Sequence, residues 1–110
     1  MSGGLAERHC VPCEGGTPAL TAEQVEPLLA EVAGWTLLDG KKLTRTFRFP
    51  DFVGAVAFVN ELTPVAEAEG HHPDLTVKWG EVGVELWTHS IGGLSENDFI
   101  LAAKIDRLSP

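Results

Sequence analysis

Two short runs of alternating residues, each folded about a turn signal, constrain this chain more than any other feature. Residues 35–38 and 43–49 flank Asp39-Gly40, a dipeptide suited to a hairpin turn. Residues 75–78 and 82–88 flank Trp79-Gly80 in the same way. In the first ribbon Leu43, Arg45, Phe47 and Phe49 share one face. In the second, Val82, Val84 and Leu86 point one way, and Gly83, Glu85, Trp87 and His89 the other.

Around the ribbons the apolar period becomes helical. Thr21-Ala22-Glu23-Gln24 has the spacing of a capping box, and Val25, Leu28, Leu29 and Val32 follow at helical intervals. A helix over about 22–33, ended by Gly34, is predicted. Pro27 removes a backbone donor inside that span, so a later start with Pro27 in the first turn is the alternative. Asp51 caps a longer helix whose apolar side carries Phe52, Ala55, Val56, Val59, Leu62 and Ala66. Pro64 is expected to kink or divide it, and Gly70 to stop it. Ser95-Glu96-Asn97-Asp98 is a second capping box, opening a last helix with Phe99, Ala102, Ala103, Ile105 and Leu108. The order α-β-β-α-β-β-α implies an α+β domain, a four-stranded antiparallel sheet covered on one face by three helices. The other face and the sheet edges need protection, so a homodimer or homotetramer is expected.

A chain of 110 residues makes one domain. Residues 1–20, rich in Gly and Pro, read as a flexible leader ahead of the domain at 21–110. The net charge of −8 repels phosphate backbones and anionic membranes, which argues against direct nucleic-acid binding and against a membrane partner. No apolar run approaches the ~20 residues of a membrane span. The N-terminus lacks the charged-then-apolar order of a signal peptide, and a cytoplasmic location is expected. Cys10 and Cys13 form a lone Cys-x-x-Cys with only His9 nearby, short of the four ligands of structural zinc. The plain expectation is two thiols in the leader; a metal shared between subunits, or a disulfide under oxidation, is the alternative.

Three of the four histidines, His71, His72 and His89, fall in one window bounded by Glu67 and Asp98. Imidazole titrates near neutral pH and can both give and take a proton. Pro73 holds His72 out of the helical region, and adjacent residues in extended chain point in opposite directions. If the second ribbon folds about Trp79-Gly80, His89 arrives beside the His71-His72 step. Such a cluster suits acid–base chemistry or a three-histidine metal site, although adjacent histidines do not easily face one ion. Each residue also has a plain structural role: helix-end polar groups for the histidine pair, a strand end for His89, a solvated helix face for Glu67 and a capping acid for Asp98. Trp79 can pack the hairpin, and Trp35 belongs in the core.

The joint pattern resembles the pterin-4a-carbinolamine dehydratase family, also known as a dimerisation cofactor of a homeodomain transcription factor. The family signature is an acid, three residues, His, His or Asn, Pro, five residues, an aromatic, nine residues, His or Trp, and a later Asp. Glu67, His71, His72, Pro73, Trp79, His89 and Asp98 stand at those spacings. The likeness extends from about residue 20 to 108. Gly70 departs from it, since the family more often has Asn or Asp there, and a looser helix cap or one lost polar contact is expected. The resemblance implies dehydration of 4a-hydroxytetrahydropterin to the quinonoid dihydropterin, with no cofactor and no metal. It implies that His71 and His89 are the acid–base pair and that His72 binds or orients. Glu67 and Asp98 would orient imidazoles, while Gly70, Pro73, Trp87, Thr88 and Ser90 would surround the pterin. Trp79 or Trp35 could pack on its ring. An aromatic amino-acid hydroxylase is the implied pathway partner. A non-catalytic assembly protein on the same scaffold is the competing expectation.

Overall fold

The computed structural model describes residues 3–11 and 18–108. Four strands form one antiparallel sheet: β1 (Thr36–Leu38), β2 (Lys42–Arg48), β3 (Asp74–Lys78) and β4 (Glu81–Leu86). Their order across the sheet is β1-β2-β4-β3, so the second ribbon docks on the first through β2 and β4. Leu43 faces Leu86, Arg45 faces Val84 and Phe47 faces Val82 across that central pair. Leu43, Val82, Val84 and Leu86 are fully buried. Both turns fall where expected. Asp39 and Gly40 adopt φ of 53° and 70°, the mirror-image turn that follows the strand twist. Lys78 faces Glu81 across Trp79-Gly80.

The helices α2 (Ala22–Glu31), α3 (Phe52–Glu69) and α4 (Glu96–Asp106) complete the expected α+β architecture. Thr21 closes the predicted capping box, accepting from the Gln24 N–H while its own N–H donates to the Gln24 side chain. Pro27 is accommodated inside α2, which keeps its early start. Pro64 likewise neither stops nor divides α3, which runs unbroken for 18 residues. Immediately before Pro64, the Thr63 hydroxyl donates to the Val59 carbonyl at 2.8 Å. The buried side of α3 is Ala55, Phe58, Leu62 and Ala66. Ala55, Leu62 and Ala66 are the residues expected there; Phe52 and Val56, also expected, remain exposed, as does Val53. The fourth position is Phe58, which fills the core against Phe47 and Phe49. Helix α4 is buried almost all round, because it is enclosed by the sheet and the other helices. Trp35 is a core residue, and its indole N–H donates to Asp106. Among the described residues, no helix is long and apolar enough to cross a membrane.

The leader departs from its expected irregularity. Gly3–Ala6 forms one helical turn, α1, lying against α4, with Leu5 only 2% exposed. Leu5 has no periodic neighbours to announce it, because a single turn is too short for a 3.6-residue pattern to repeat. Leu5→Ala should therefore cost about 2–3 kcal/mol, read as a lower urea midpoint at unchanged slope. A midpoint within error of wild type would show that this contact adds nothing.

Candidate active site

The site lies where α3 ends and β4 runs out. Gly70 leaves α3 at φ 63°, and its N–H is shared by the Ala66 and Glu67 carbonyls. A left-handed residue with no Cβ suits this cap, so the expected loosening is not found. Asn or Asp at this position would have carried a polar side chain; glycine offers only backbone.

The two histidines that follow diverge, as extended chain requires. His71 turns inward, and its Nε2–H donates to Asp98 Oδ1 at 2.6 Å. The His71 side chain is 12% exposed and that of Asp98 is fully buried. Asp98 Oδ2 accepts from the Thr88 hydroxyl and the Ser95 N–H, both at 2.9 Å. Thr88 and Ser95 also share a hydrogen bond at 2.7 Å. The capping acid of α4 is thus the anchor of the His71 ring as well. With Nε2–H committed to a carboxylate, neutral His71 keeps its lone pair on Nδ1. His72 turns outward, where Nε2–H donates to Glu67 Oε2 at 2.6 Å between two exposed side chains.

His89 does not end a strand. β4 stops at Leu86, Thr88 bridges to Gly93, and His89–Ile91 is a 3-10 turn closed by Gly92 at φ 67°. The Thr88–Gly93 bridge pinches the loop shut. His89 lies against the Trp87 ring, with centroids 4.1 Å apart. The Trp87 indole donates to Asp74 Oδ2 at 3.1 Å, the oxygen that lies 3.9 Å from His89 Nε2. Lys42 caps the Trp87 ring at 4.9 Å.

His71, His72 and His89 border one hollow of about 200 Å³ with Gly70 and Trp87. Ribbon register brings them together: Asp74 faces Glu85, so the residues after Leu86 return beside the His71-His72 step. Glu67 reaches this group through His72, and Asp98 and Thr88 through His71. Pro73 sits half-buried between His72 and β3. Trp79 is at the opposite, exposed end of the ribbon, and Trp35 is buried against Asp106. Neither borders the hollow of the histidines; Trp87 does. Among the described residues, no three His, Cys, Asp or Glu side chains are arranged to hold a metal ion.

A second cavity of about 330 Å³ adjoins the first through Gly70 and His71. Its outer wall is the leader at Cys10 and Val11, and Glu69, Thr88, Ser90 and Asn97 complete it. Glu69 holds the leader down. It accepts from the Cys10 N–H at 2.7 Å, from His9 Nδ1 at 3.0 Å and from Lys104 at 3.2 Å. Asn97 pairs with the Val11 backbone in both directions. No sequence pattern links residue 10 to residues 69 and 97. Cys13, the second half of the Cys-x-x-Cys, lies outside the described residues. Burial, and then the neighbouring Glu69 carboxylate, push the Cys10 thiol up to about 12, so it stays protonated and unreactive near neutral pH.

Burial pushes the Glu69 carboxyl up, but hydrogen bonds from Cys10, His9 and Lys104 outweigh it and hold the group at about 2. A carboxyl held lower in the folded chain than in the unfolded one stabilises fully above its ordinary 4.5. That contribution disappears as pH falls from 4.5 toward 2. Urea midpoints should fall through this window, and Glu69→Gln should remove that part of the slope. An equal slope in both proteins would contradict the assignment.

Comparison with known proteins agrees with this fold. A model of the family described as Pterin 4 alpha carbinolamine dehydratase matches residues 18–108. A Methylococcus capsulatus protein provisionally named a pterin-4-alpha-carbinolamine dehydratase is 52% identical over 106 residues, covering 96% of this chain and 93% of its own. A similarly named Rickettsia bellii protein is 48% identical over 105 residues, covering 94% and 93%. The crystal structure of a transcriptional coactivator/pterin dehydratase from Brucella melitensis superposes with a TM-score of 0.78 at 33% identity, over 84% of this chain and 99% of that one.

Proposed function

Because the chain belongs to the pterin-4a-carbinolamine dehydratase family, we propose that it dehydrates 4a-hydroxytetrahydropterin to the quinonoid dihydropterin. The C4a–O bond breaks and the hydroxyl leaves as water, taking a proton from an acid. The N5–H proton passes to a base, and a C4a–N5 double bond forms. Electrons balance without an oxidant, so two imidazoles of opposite protonation suffice.

The observation that carries this reading is the shared hollow of His71, His72 and His89, with His71 tied to a buried carboxylate. His71 and His89 are the acid–base pair, and His72, steadied by Glu67, orients the ring. Trp87 borders the hollow and supports the His89 ring. Backbone at Gly70, and Pro73, Thr88 and Ser90, shape the rest of the pterin pocket, while Asp98 acts through His71. The reaction needs no cofactor. A homodimer or homotetramer, and supply of pterin from an aromatic amino-acid hydroxylase, fit the same role.

The test is stopped-flow absorbance of 4a-hydroxypterin decay. Wild type should accelerate it, and His89→Ala should be slower by about 10²-fold. Decay at the uncatalysed rate with wild type would end the enzymatic reading. Equal rates for the two proteins would remove His89 from the chemistry. A partner-binding role beside catalysis is the second reading, favoured by exposed Phe52, Val53 and Val56 at the start of α3.

A further inference from the structure

Asp74, the first residue of β3, does not border the hollow of the histidines but stands one contact behind it. Its Oδ2 accepts from the Trp87 indole N–H at 3.1 Å and lies 3.9 Å from His89 Nε2. The second separation is too long for a hydrogen bond, so Asp74 reaches His89 by way of the indole. The imidazole lies against that indole with centroids 4.1 Å apart. Resting on the dehydratase reading, we infer that Asp74 is a positioning residue for the reaction: by fixing the Trp87 ring it fixes where His89 meets the substrate.

His89 needs such a support. Its side chain is 60% exposed and leaves from a 3-10 turn beyond the end of β4. An exposed imidazole changes rotamer freely unless a neighbour blocks it. That neighbour is Trp87, and three strands act on its ring. Trp87 follows directly on β4, β3 supplies the Asp74 acceptor for the indole N–H, and β2 supplies Lys42, whose ammonium lies 4.9 Å from the ring centroid. Lys42 is itself drawn to Glu85 at 3.5 Å, and Glu85 faces Asp74 in the β3–β4 register. A cation over a ring face tolerates several ring orientations, whereas a hydrogen bond from the single indole donor selects one. The Asp74 bond is therefore the contact that sets the angle of the surface on which His89 rests. Both imidazoles are then referred to an aspartate, His71 directly and His89 through an indole. Misplacing a reacting group by about 1 Å can cost up to ~10²-fold in rate, so a small rotation of this support matters.

The test is kcat and KM from the stopped-flow assay for variants of Asp74, whose side chain is 55% exposed and can be replaced without opening the core. Asp74→Ala should lower kcat about tenfold, with KM within about twofold of wild type. Asp74→Asn keeps an oxygen for the indole N–H and should stay within about threefold of the wild-type kcat. In a His89→Ala background, Asp74→Ala should change kcat by less than about twofold, because the ring it positions is gone. Added to Trp87→Phe, which lacks the donor, it should likewise cost less than about twofold. A wild-type kcat for Asp74→Ala would overturn the inference, as would its full loss persisting in either background. Asp74→Asn as slow as Asp74→Ala would also overturn it. In each case the dehydratase reading would stand. Wild type without any acceleration would sink that reading, and the positioning role with it.

Discussion

His71→Ala is expected to lose about 10³–10⁴-fold in kcat, more than His89→Ala loses, with little change in KM. The two rings differ in what could replace them. His71 is 12% exposed and fixed by a buried carboxylate, so its lone pair is aimed before substrate arrives. Preset aim spares the transition state the entropy of orienting a proton acceptor. His89 is 60% exposed and rests on Trp87, so water can take over part of its work. Single-turnover stopped-flow kinetics separates the chemical step from binding. A His71→Ala rate within a few fold of wild type would make this ring a bystander.

Asp98→Ala should be the most destabilising single change near the site, by about 3–5 kcal/mol. Its two oxygens accept from His71, Thr88 and the Ser95 N–H, and the residue has no exposure to water. Removing it leaves a buried hydroxyl and the first turn of α4 without an acceptor, and frees the His71 ring. Asp98→Asn keeps one carbonyl oxygen for these donors and should cost roughly half as much. Urea denaturation reads the stability, and kcat below the unfolding range reads the loss of ring anchoring. Asp98→Ala with both the wild-type midpoint and the wild-type kcat would leave the buried hub without a role.

Much of this arrangement was legible in the chain. Asp39-Gly40 and Trp79-Gly80 fix the ribbons locally, and two capping boxes fix helix starts, because turn and cap chemistry acts over three or four residues. The histidine cluster followed from ribbon register alone. The choice of β2 beside β4 is a long-range pairing that no local signal encodes. The same is true of Glu69 reaching back to Cys10 across 59 positions. Pro64 does not divide α3, because local rules count its lost donor whereas the surrounding core holds the helix together. His89 was placed on a strand by extrapolating the alternation past Leu86, where the Thr88–Gly93 bridge takes over. Family likeness supplied roles for Asp98 and His71; only coordinates reveal that Thr88 and Ser95 share the same carboxylate.

Gly70 is the sole residue between the leader's clamp at Glu69 and the inward ring of His71. Two tethers fastened so near each other leave no slack in the main chain. An inserted residue there would swing one side chain away from its anchor by roughly a third of a helical turn. Lengthening this junction would part the leader's clamp from the His71 ring, which one residue now separates.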